Sequence, residues 1–469
     1  IYLDSSTTAG VLSPVPAAPD EQQPLPFIEA DRTAALMESL TGTKRVVTHG
    51  YVMPNRGWVR SLNAGRVPYP VSGQWPAPVR PVTDGTGEMT PASPVYPFLQ
   101  DELDWMEERS LKYGVYLRGW KVYTPYGDVP FSSGMGHDDD AGMAMNEKIV
   151  ELWQNYGTPP VLASHKGIWL PTFDDRRQAC DDVPAAAKAF PDIRFVIYHS
   201  AGGWTSAARG LAASYPVDDD SAIPKDNYLW GIYGLLKNLK EEGLDALSNI
   251  LPGLEHGNSP NVYVDLGSVI PNDAEQLALF FGNMIRHLGA RRICLGTDSI
   301  WGGSPQGDIL KIRTLRMSEL AKETFNLPHG MNGDRYDPRV RAWKDDDETD
   351  VVADYSHYSD SYAAQYLALD LPENGGPWPR DQVAHPERSI RNGILGWNAG
   401  EAYEHDPRQT FAAMECDRLN EVRDQYLGDR INGLASIGPS RSNIVYGPRT
   451  RQETIAMLNE DWKKNGWRA

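Results

Sequence analysis

The sequence predicts an α/β fold, a TIM-type (β/α)8 barrel that carries an insertion and a helical C-terminal extension. Short β-rich runs alternate with amphipathic stretches of about 10 to 18 residues, which is the pattern of βα units around a parallel sheet. Seven such runs are each followed by a predicted helix, whereas a closed barrel needs eight strands. We therefore expect the first barrel strand to be missing from this chain and to lie before Ile1.

The individual strands and helices are predicted from the spacing of the apolar residues. The predicted strands cover residues 9–14, 45–52, 115–123, 160–164, 193–198, 261–266 and 292–297. The helices that follow them cover residues 28–40, 98–113, 141–156, 184–190, 227–250, 273–288 and 306–320. The helix at 273–288 has the clearest limits, because Asp273 lies near its start and His287 in its last turn.

The domain organisation follows from where this alternation stops. Residues 1–322 form the predicted barrel body. Residues 323–385 contain HGMNGDRYDP and KDDDETD, which are polar, charged and rich in Gly and Pro, so we expect an insertion or a lid there. A helix is expected again within 386–405, and residues 406–469 are predicted to form a helical C-terminal extension with charged faces.

Composition excludes some classes of partner. The net charge of −18 and the pI near 5.0 leave no basic stripe of the kind that binds nucleic acid. No apolar run approaches the roughly 20 residues that a membrane span needs. The three cysteines are far apart and form no zinc-knuckle spacing, so a disulfide framework is not expected and the compartment stays open.

Three predicted strands end in a residue that can bind a metal ion or carry a proton. His165 follows the run VLAS, His199 follows RFVIY, and Asp298 follows RICLGT. In a barrel these carboxyl ends open on one face, where the active site lies. Two imidazoles and a carboxylate on that face suit a zinc-type cation. Taken singly, each histidine could instead be a loop hydrogen-bonding residue, and Asp298 could be a helix cap.

Further residues are candidates for the substrate pocket. Lys121 lies on the strand 115–123 and is either a structural lysine or a contact for a substrate carboxylate. Trp301 and Trp204 follow the strand ends closely and either line the pocket or pack in loops. His49 and Asn55, near the end of the strand 45–52, are weaker pocket candidates.

Two other features are assigned no chemistry of their own. Lys166 is expected to pair with the substrate or with a neighbouring carboxylate. The segment GHDDD at 136–140 has the composition of a metal site, but adjacent side chains diverge, so we interpret it as a solvated loop.

The segments GWKVYTPYG (119–127), ASHKG, VIYHSAGG and LGTDSIWGGSPQ (295–306) resemble the amidohydrolase-related branch of the amidohydrolase superfamily, which includes metal-dependent decarboxylases. ILGWNAGEAY (394–403) is similar to the helix that closes such barrels. The resemblance covers about residues 7–322 and 386–403. It implies that His165 is a metal ligand on strand five, that His199 is a ligand or activates water on strand six, and that Asp298 on strand eight binds the metal and shuttles a proton.

The chain departs from the family pattern at strand one, where an HxH or ExH motif should supply further ligands and none occurs. Either those ligands lie upstream or on a second chain, or this chain cannot hold a metal well by itself. The resemblance implies a divalent metal, with zinc expected and manganese or iron as alternatives. Some members of the family carry a carboxylated lysine at the position that the resemblance assigns to Lys121.

The functional expectation is a metal-dependent hydrolase that acts on a small organic substrate through a metal-activated water. A metal-dependent decarboxylase of the same superfamily is the alternative, and so is a subunit whose remaining ligands lie on another polypeptide. A homo-oligomer, or a second chain that supplies the first strand, is the expected assembly. A glycosidase-like barrel ranks last, because it needs paired carboxylates and only Asp298 and, more weakly, Asp265 follow strands.

Overall fold

The computed structural model describes residues 7–15, 25, 27–54, 99–125, 134–167, 177–202, 230–244, 261–298, 305–325, 327, 390–407, 409–410, 417–419 and 421. Within these residues, no helix is both long and apolar enough to cross a membrane. Most of the predicted insertion at 323–385 and most of the predicted extension at 406–469 lie outside the described residues, so these domain limits stay predictions.

Seven parallel strands form one sheet, and their order in space is their order along the chain. They are β1 (Gly10–Leu12), β2 (Val46–Tyr51), β3 (Leu117–Val122), β4 (Val161–His165), β5 (Arg194–Tyr198), β6 (Val262–Asp265) and β7 (Ile293–Cys294). This sequential all-parallel order is that of a TIM-type barrel, and it confirms the predicted fold class. The seven predicted strands are all present among the described residues, although β7 is only two residues long.

Helices follow the strands as the alternation predicts. They are α1 (Phe27–Thr41), α2 (Leu99–Tyr113), α3 (Asp140–Tyr156), α4 (Val183–Ala189), α5 (Trp230–Glu241), α6 (Ala274–His287), α7 (Gln306–Arg313) and α8 (Glu319–Thr324). The ends of α6 are those expected, because the Asp273 side chain accepts hydrogen bonds from the backbone N–H groups of Glu275 and Gln276. Gly157 ends α3 in a left-handed conformation, with φ of 69°.

The single helix predicted at 306–320 is wrong. The chain leaves the helix at Thr314, and Ser318 begins α8 by accepting a hydrogen bond from the backbone N–H of Ala321. A serine side chain that bonds to nearby backbone groups favours the start of a new helix over continuation of the previous one. The spacing of apolar residues carries no information about such a bond.

The strands bury different residues on their two faces, and this alternation sets up the site. Along β4, Leu162 packs in the layer between the sheet and the helices, whereas Val161 and Ala163 belong to an inner cluster. The inner cluster is completed by residues of the other strands and of a C-terminal segment: Val11, Val196, Tyr198, Tyr263, Cys294, Ala399, Ala402 and Tyr403. His165 is therefore on the inner face of its strand, at the carboxyl end.

The C-terminal segment packs against β7. It contains α9 (Ile390–Asn392), a π-helical turn (Gly393–Trp397) and α10 (Asn398–Ala402). The carbonyl of Ile394 accepts a hydrogen bond from the backbone N–H of Leu295, and the Asn398 side chain donates to the carbonyls of Ala290 and Ile293. The segment predicted as a helix within 386–405 thus contains helical turns that are interrupted at Gly396, and its limits stay a prediction.

Candidate metal site

His165 and His199 meet at the carboxyl ends of β4 and β5. Their ring centroids are 4.7 Å apart and the rings are inclined by 68°. Both side chains are almost fully buried, with exposed fractions of 6% and 4%. The structure therefore brings together two of the three residues that the sequence analysis nominated as metal ligands.

A close backbone approach holds these two strand ends together. Gly167, two residues after His165, has φ of 77° and lies directly against the backbone of Ala201. A Cβ atom at Gly167 would overlap that backbone. Glycine is thus required both for the left-handed conformation and for the contact.

The hydrogen bonding of His199 fixes the position of its proton. Nδ1 lies 2.9 Å from the carbonyl oxygen of Gly267. A carbonyl can only accept, so Nδ1 carries the hydrogen and the lone pair of the neutral ring is on Nε2. This is the tautomer that a metal-binding or water-activating histidine uses when its other nitrogen is held by the protein.

His165 is held as a neutral imidazole. Burial lowers its pKa well below the usual value, and the nearby His199 and Lys121 lower it further. One face of the ring stacks on Tyr123, with a centroid distance of 4.7 Å and an angle of 22°. A neutral imidazole can donate its lone pair to a metal ion without first losing a proton.

Asp298 lies beside this pair, on the loop after β7. Its Oδ2 accepts a very short hydrogen bond from the Ser268 hydroxyl. A Cβ atom at Gly267, the residue whose carbonyl binds His199, would lie 3.3 Å from the Cβ of Asp298. Within the described residues, however, no three His, Cys, Asp or Glu side chains are grouped closely enough to hold a metal ion. Asp298 as the third ligand therefore stays a prediction.

The backbone at these strand ends is unusual. Among the described residues, five of the six non-glycine residues with positive φ are His199, Ser200, Ala201, Ser268 and Asp298, with φ between 47° and 67°. L-residues adopt this left-handed region at a cost, and such residues cluster at functional sites. The concentration at the ends of β5, β6 and β7 marks this face of the barrel as the candidate site.

Asp265, at the end of β6, is the acidic residue whose importance the sequence analysis underrated. Its Oδ1 accepts a hydrogen bond of 2.9 Å from the backbone N–H of Gly267, and the backbone N–H of His199 also stabilises the charged carboxylate. The pKa of Asp265 is raised to about 6, mainly by burial. Asp298 also raises it, whereas the hydrogen bond from Gly267 and the charge of Lys121 lower it. The sequence does contain a signal for a site residue at this position, because VYVD ends in an acidic residue after an apolar run.

Lys121 lies fully buried on β3, in the interior of the sheet. Its Nζ is 3.0 Å from the centroid of the Tyr198 ring, and it has no hydrogen-bond partner in the part of the chain that the structure describes. Burial lowers the pKa of the Lys121 ammonium well below its usual value, and the carboxylates of Asp265 and Asp298 act in the opposite direction. A contact with substrate stays a prediction.

His49 lies in the same interior. Its Nδ1 is 3.2 Å from the Ser13 hydroxyl and 3.4 Å from the Tyr198 hydroxyl, and its ring is 5.1 Å from that of Tyr403. Burial, with a contribution from Lys121, lowers the pKa of His49 to about 3. The predicted pocket residues Trp301, Trp204 and Asn55 lie outside the described residues.

The structure also tests the expectations for Lys166 and for the segment 136–140. Lys166 pairs with a neighbouring carboxylate, Asp182, at 2.7 Å. The solvated loop predicted at 136–140 is wrong in its first half, because His137 is fully buried and its Nε2 lies 2.7 Å from the Ser164 hydroxyl. The second half includes Asp139, which caps α3 by accepting from the backbone N–H of Gly142.

Comparison with known proteins finds similarity among solved structures only. No family model matches the chain, and no curated protein does. The crystal structure of 2,6-dihydroxybenzoate decarboxylase from Rhizobium is 8% identical, over 64% of this chain and 74% of that chain, with a TM-score of 0.33. A 5-carboxyvanillate decarboxylase from Sphingomonas paucimobilis is 10% identical, over 63% of this chain and 68% of that chain, with a TM-score of 0.31.

A dihydroxybenzoic acid decarboxylase from Polaromonas sp., with bound manganese and the inhibitor 2-nitroresorcinol, is 12% identical over 48% of this chain and 63% of that chain, with a TM-score of 0.27. All three similar structures are decarboxylases, a class that the superfamily resemblance includes.

Proposed function

We propose that this chain is a metal-dependent enzyme that acts on a small organic molecule at the carboxyl ends of β4 to β7. Hydrolysis through a metal-activated water is the first candidate reaction. The observation that carries the proposal is the contact between two buried imidazoles. His165 is neutral, and His199 has its lone pair on Nε2 because Nδ1 donates to Gly267.

The donor set fits a divalent metal ion of the zinc type in its chemistry. Zinc takes imidazole nitrogens and carboxylate oxygens and retains an open position in catalytic sites. His165 and His199 would supply two nitrogens, and Asp298 would supply an oxygen once its carboxylate turns from Ser268. When bound there, such an ion would lower the pKa of a coordinated water and polarise the substrate's carbonyl group.

The chain's own residues would handle the proton. In this proposal the Asp298 carboxylate accepts a proton from the attacking water and returns it to the leaving group. Tyr123 and Tyr198, which pack in the interior, would exclude bulk water from that side of the site.

Decarboxylation is the second candidate, and Lys121 is the observation that favours it. The amine is buried at the site without a hydrogen-bond partner among the described residues. A substrate carboxylate would supply the missing acceptor, and an unmade hydrogen bond of a buried amine is costly. The solved structures named above are decarboxylases of aromatic acids, and dihydroxybenzoates are therefore the first acids to assay.

Metal analysis of matched histidine variants tests the proposal. The purified chain should bind about one zinc or manganese ion, and His165→Ala should remove most of that binding. His287→Ala is the control, because His287 is an equally buried histidine at the end of α6. Absence of metal binding by the unmodified chain, or equal binding by His165→Ala, would contradict the proposal.

A further inference from the structure

Asp265 contacts three of the four loops that form the candidate site, namely the turn after β5, its own loop after β6 and the loop after β7. Its Oδ1 accepts a hydrogen bond of 2.9 Å from the backbone N–H of Gly267, and the backbone N–H of His199 also stabilises the charged carboxylate. Its carbonyl oxygen accepts a hydrogen bond of 2.9 Å from the Ser200 hydroxyl. Asp265 thus contacts the turn after β5 at His199 and Ser200, and its own loop after β6 at Gly267.

The loop after β7 leaves room for the Asp265 carboxylate. Gly296, two residues before Asp298, lies against both carboxylate oxygens of Asp265, and a Cβ atom at Gly296 would overlap them. Glycine is therefore the residue that permits Asp265 to occupy its position. The Asp265 carboxylate lies between the turn that carries His199 and the loop that carries Asp298.

These contacts involve residues whose backbone conformation is disfavoured. His199, Ser200 and Ala201 all have positive φ, of 60°, 48° and 52°. Three consecutive left-handed L-residues are disfavoured unless the surroundings over-determine them. The Asp265 carboxylate is stabilised by the backbone N–H of His199, and its carbonyl accepts the hydrogen bond of the Ser200 hydroxyl. The Gly267 carbonyl in turn accepts from Nδ1 of the His199 ring.

We propose that Asp265 is a positioning residue that fixes the backbone, ring orientation and tautomer of His199, so that Nε2 faces His165. The inference rests on the proposed function, because it assigns Nε2 of His199 to the metal. Groups that orient a metal-binding histidine from behind change metal affinity by about 10- to 100-fold when they are removed. Sequence reasoning had connected Asp265 only with paired-carboxylate chemistry.

Two variants separate positioning from a merely structural role. Asp265→Asn retains the shape of the side chain but replaces one acceptor oxygen with a donor, so it cannot accept from both backbone N–H groups. Gly296→Ala retains Asp265 and displaces its carboxylate. Asp417→Asn is the control, because Asp417 is a buried carboxylate paired with Arg45, which precedes the amino end of β2.

The readouts are nitrogen-15 NMR of the metal-free His199 ring and the affinity for cobalt(II). The unmodified chain and Asp417→Asn should show the Nδ1–H tautomer and equal cobalt affinity. Asp265→Asn and Gly296→Ala should show a mixture of tautomers and bind cobalt about 10- to 100-fold more weakly.

The outcome also separates this inference from the proposed function. If folded Asp265→Asn retains the tautomer and the cobalt affinity of the unmodified chain, the positioning role is overturned. If the unmodified chain binds no cobalt but the tautomer still changes in both variants, the metal proposal fails and the positioning of His199 by Asp265 stands.

Discussion

Lys166 and Asp182 form a buried ion pair whose removal should strongly destabilise the fold around the site. The Lys166 side chain is fully buried, and its Nζ donates to the two carboxylate oxygens of Asp182 at 2.7 and 2.8 Å. The same ammonium donates to the carbonyls of Arg177 and Ala179, at 3.1 and 2.9 Å. Lys166→Met would leave the Asp182 carboxylate buried without its cation.

The size of the effect follows from these contacts. Removal of one partner of a buried ion pair costs about 3–5 kcal/mol, whereas replacement of both partners with apolar residues is often neutral. The double variant Lys166→Met with Asp182→Leu is not fully neutral here, because Asp182 also accepts a hydrogen bond of 2.7 Å from the backbone N–H of His137. Loss of that acceptor costs about 1–3 kcal/mol. The single variant should therefore be less stable than the double variant.

Urea denaturation followed by tryptophan fluorescence at pH 7 measures these free energies of unfolding. Lys188→Met is the matched control, because Lys188 pairs with Glu242 at 2.9 Å on the surface, with exposed fractions of 62% and 43%. Exposed pairs contribute about 0–1 kcal/mol. A loss for Lys166→Met no larger than that for Lys188→Met would refute this account of the buried network.

Three further predictions concern the site and the pH dependence. Asp298→Asn should abolish turnover while the circular dichroism spectrum stays unchanged, and near-normal activity would remove Asp298 from the mechanism. Gly167→Ala should weaken zinc binding because a Cβ would push the backbone of Ala201 away; unchanged affinity would show that the contact does not set the distance between the histidines. Burial, helped by Arg286 and Lys240, lowers the pKa of His287 from 6.5 to about 3 in the folded chain. Its stabilising contribution is therefore present above pH 6.5 and is lost as the pH falls towards 3, so His287→Gln should reduce the slope of stability against pH by up to about 1.4 kcal/mol per unit. An unchanged slope in urea denaturation between pH 4 and 6 would contradict this.

Much of the fold could be predicted because the apolar spacing is strong. In β5 (RFVIY) the three buried residues Phe195 to Ile197 lie between Arg194 and Tyr198, which are only partly buried. The polar residue after the run then lies at the carboxyl edge, as His199 does. Strand periodicity therefore predicts which residues share this edge.

The rest of the site depends on tertiary contacts that spacing does not encode. The role of Asp265 arises from backbone groups of three loops, and the left-handed turn at 199–201 is supported by a hydroxyl bond across 65 residues. Single-sequence reasoning also could not show that Gly167 and Gly296 were needed for close contacts, because each reads as an ordinary glycine after a strand. These features become visible only when distances are known.

Anomalous scattering from a crystal grown with zinc tests the central claim most directly. The account expects one strong peak at the carboxyl ends of β4 and β5, about 2.0–2.1 Å from Nε2 of His199 and from a ring nitrogen of His165. The Asp298 carboxylate should have turned from Ser268 towards that peak. Zinc bound elsewhere, or a peak that one of the two histidines does not reach, would contradict the account.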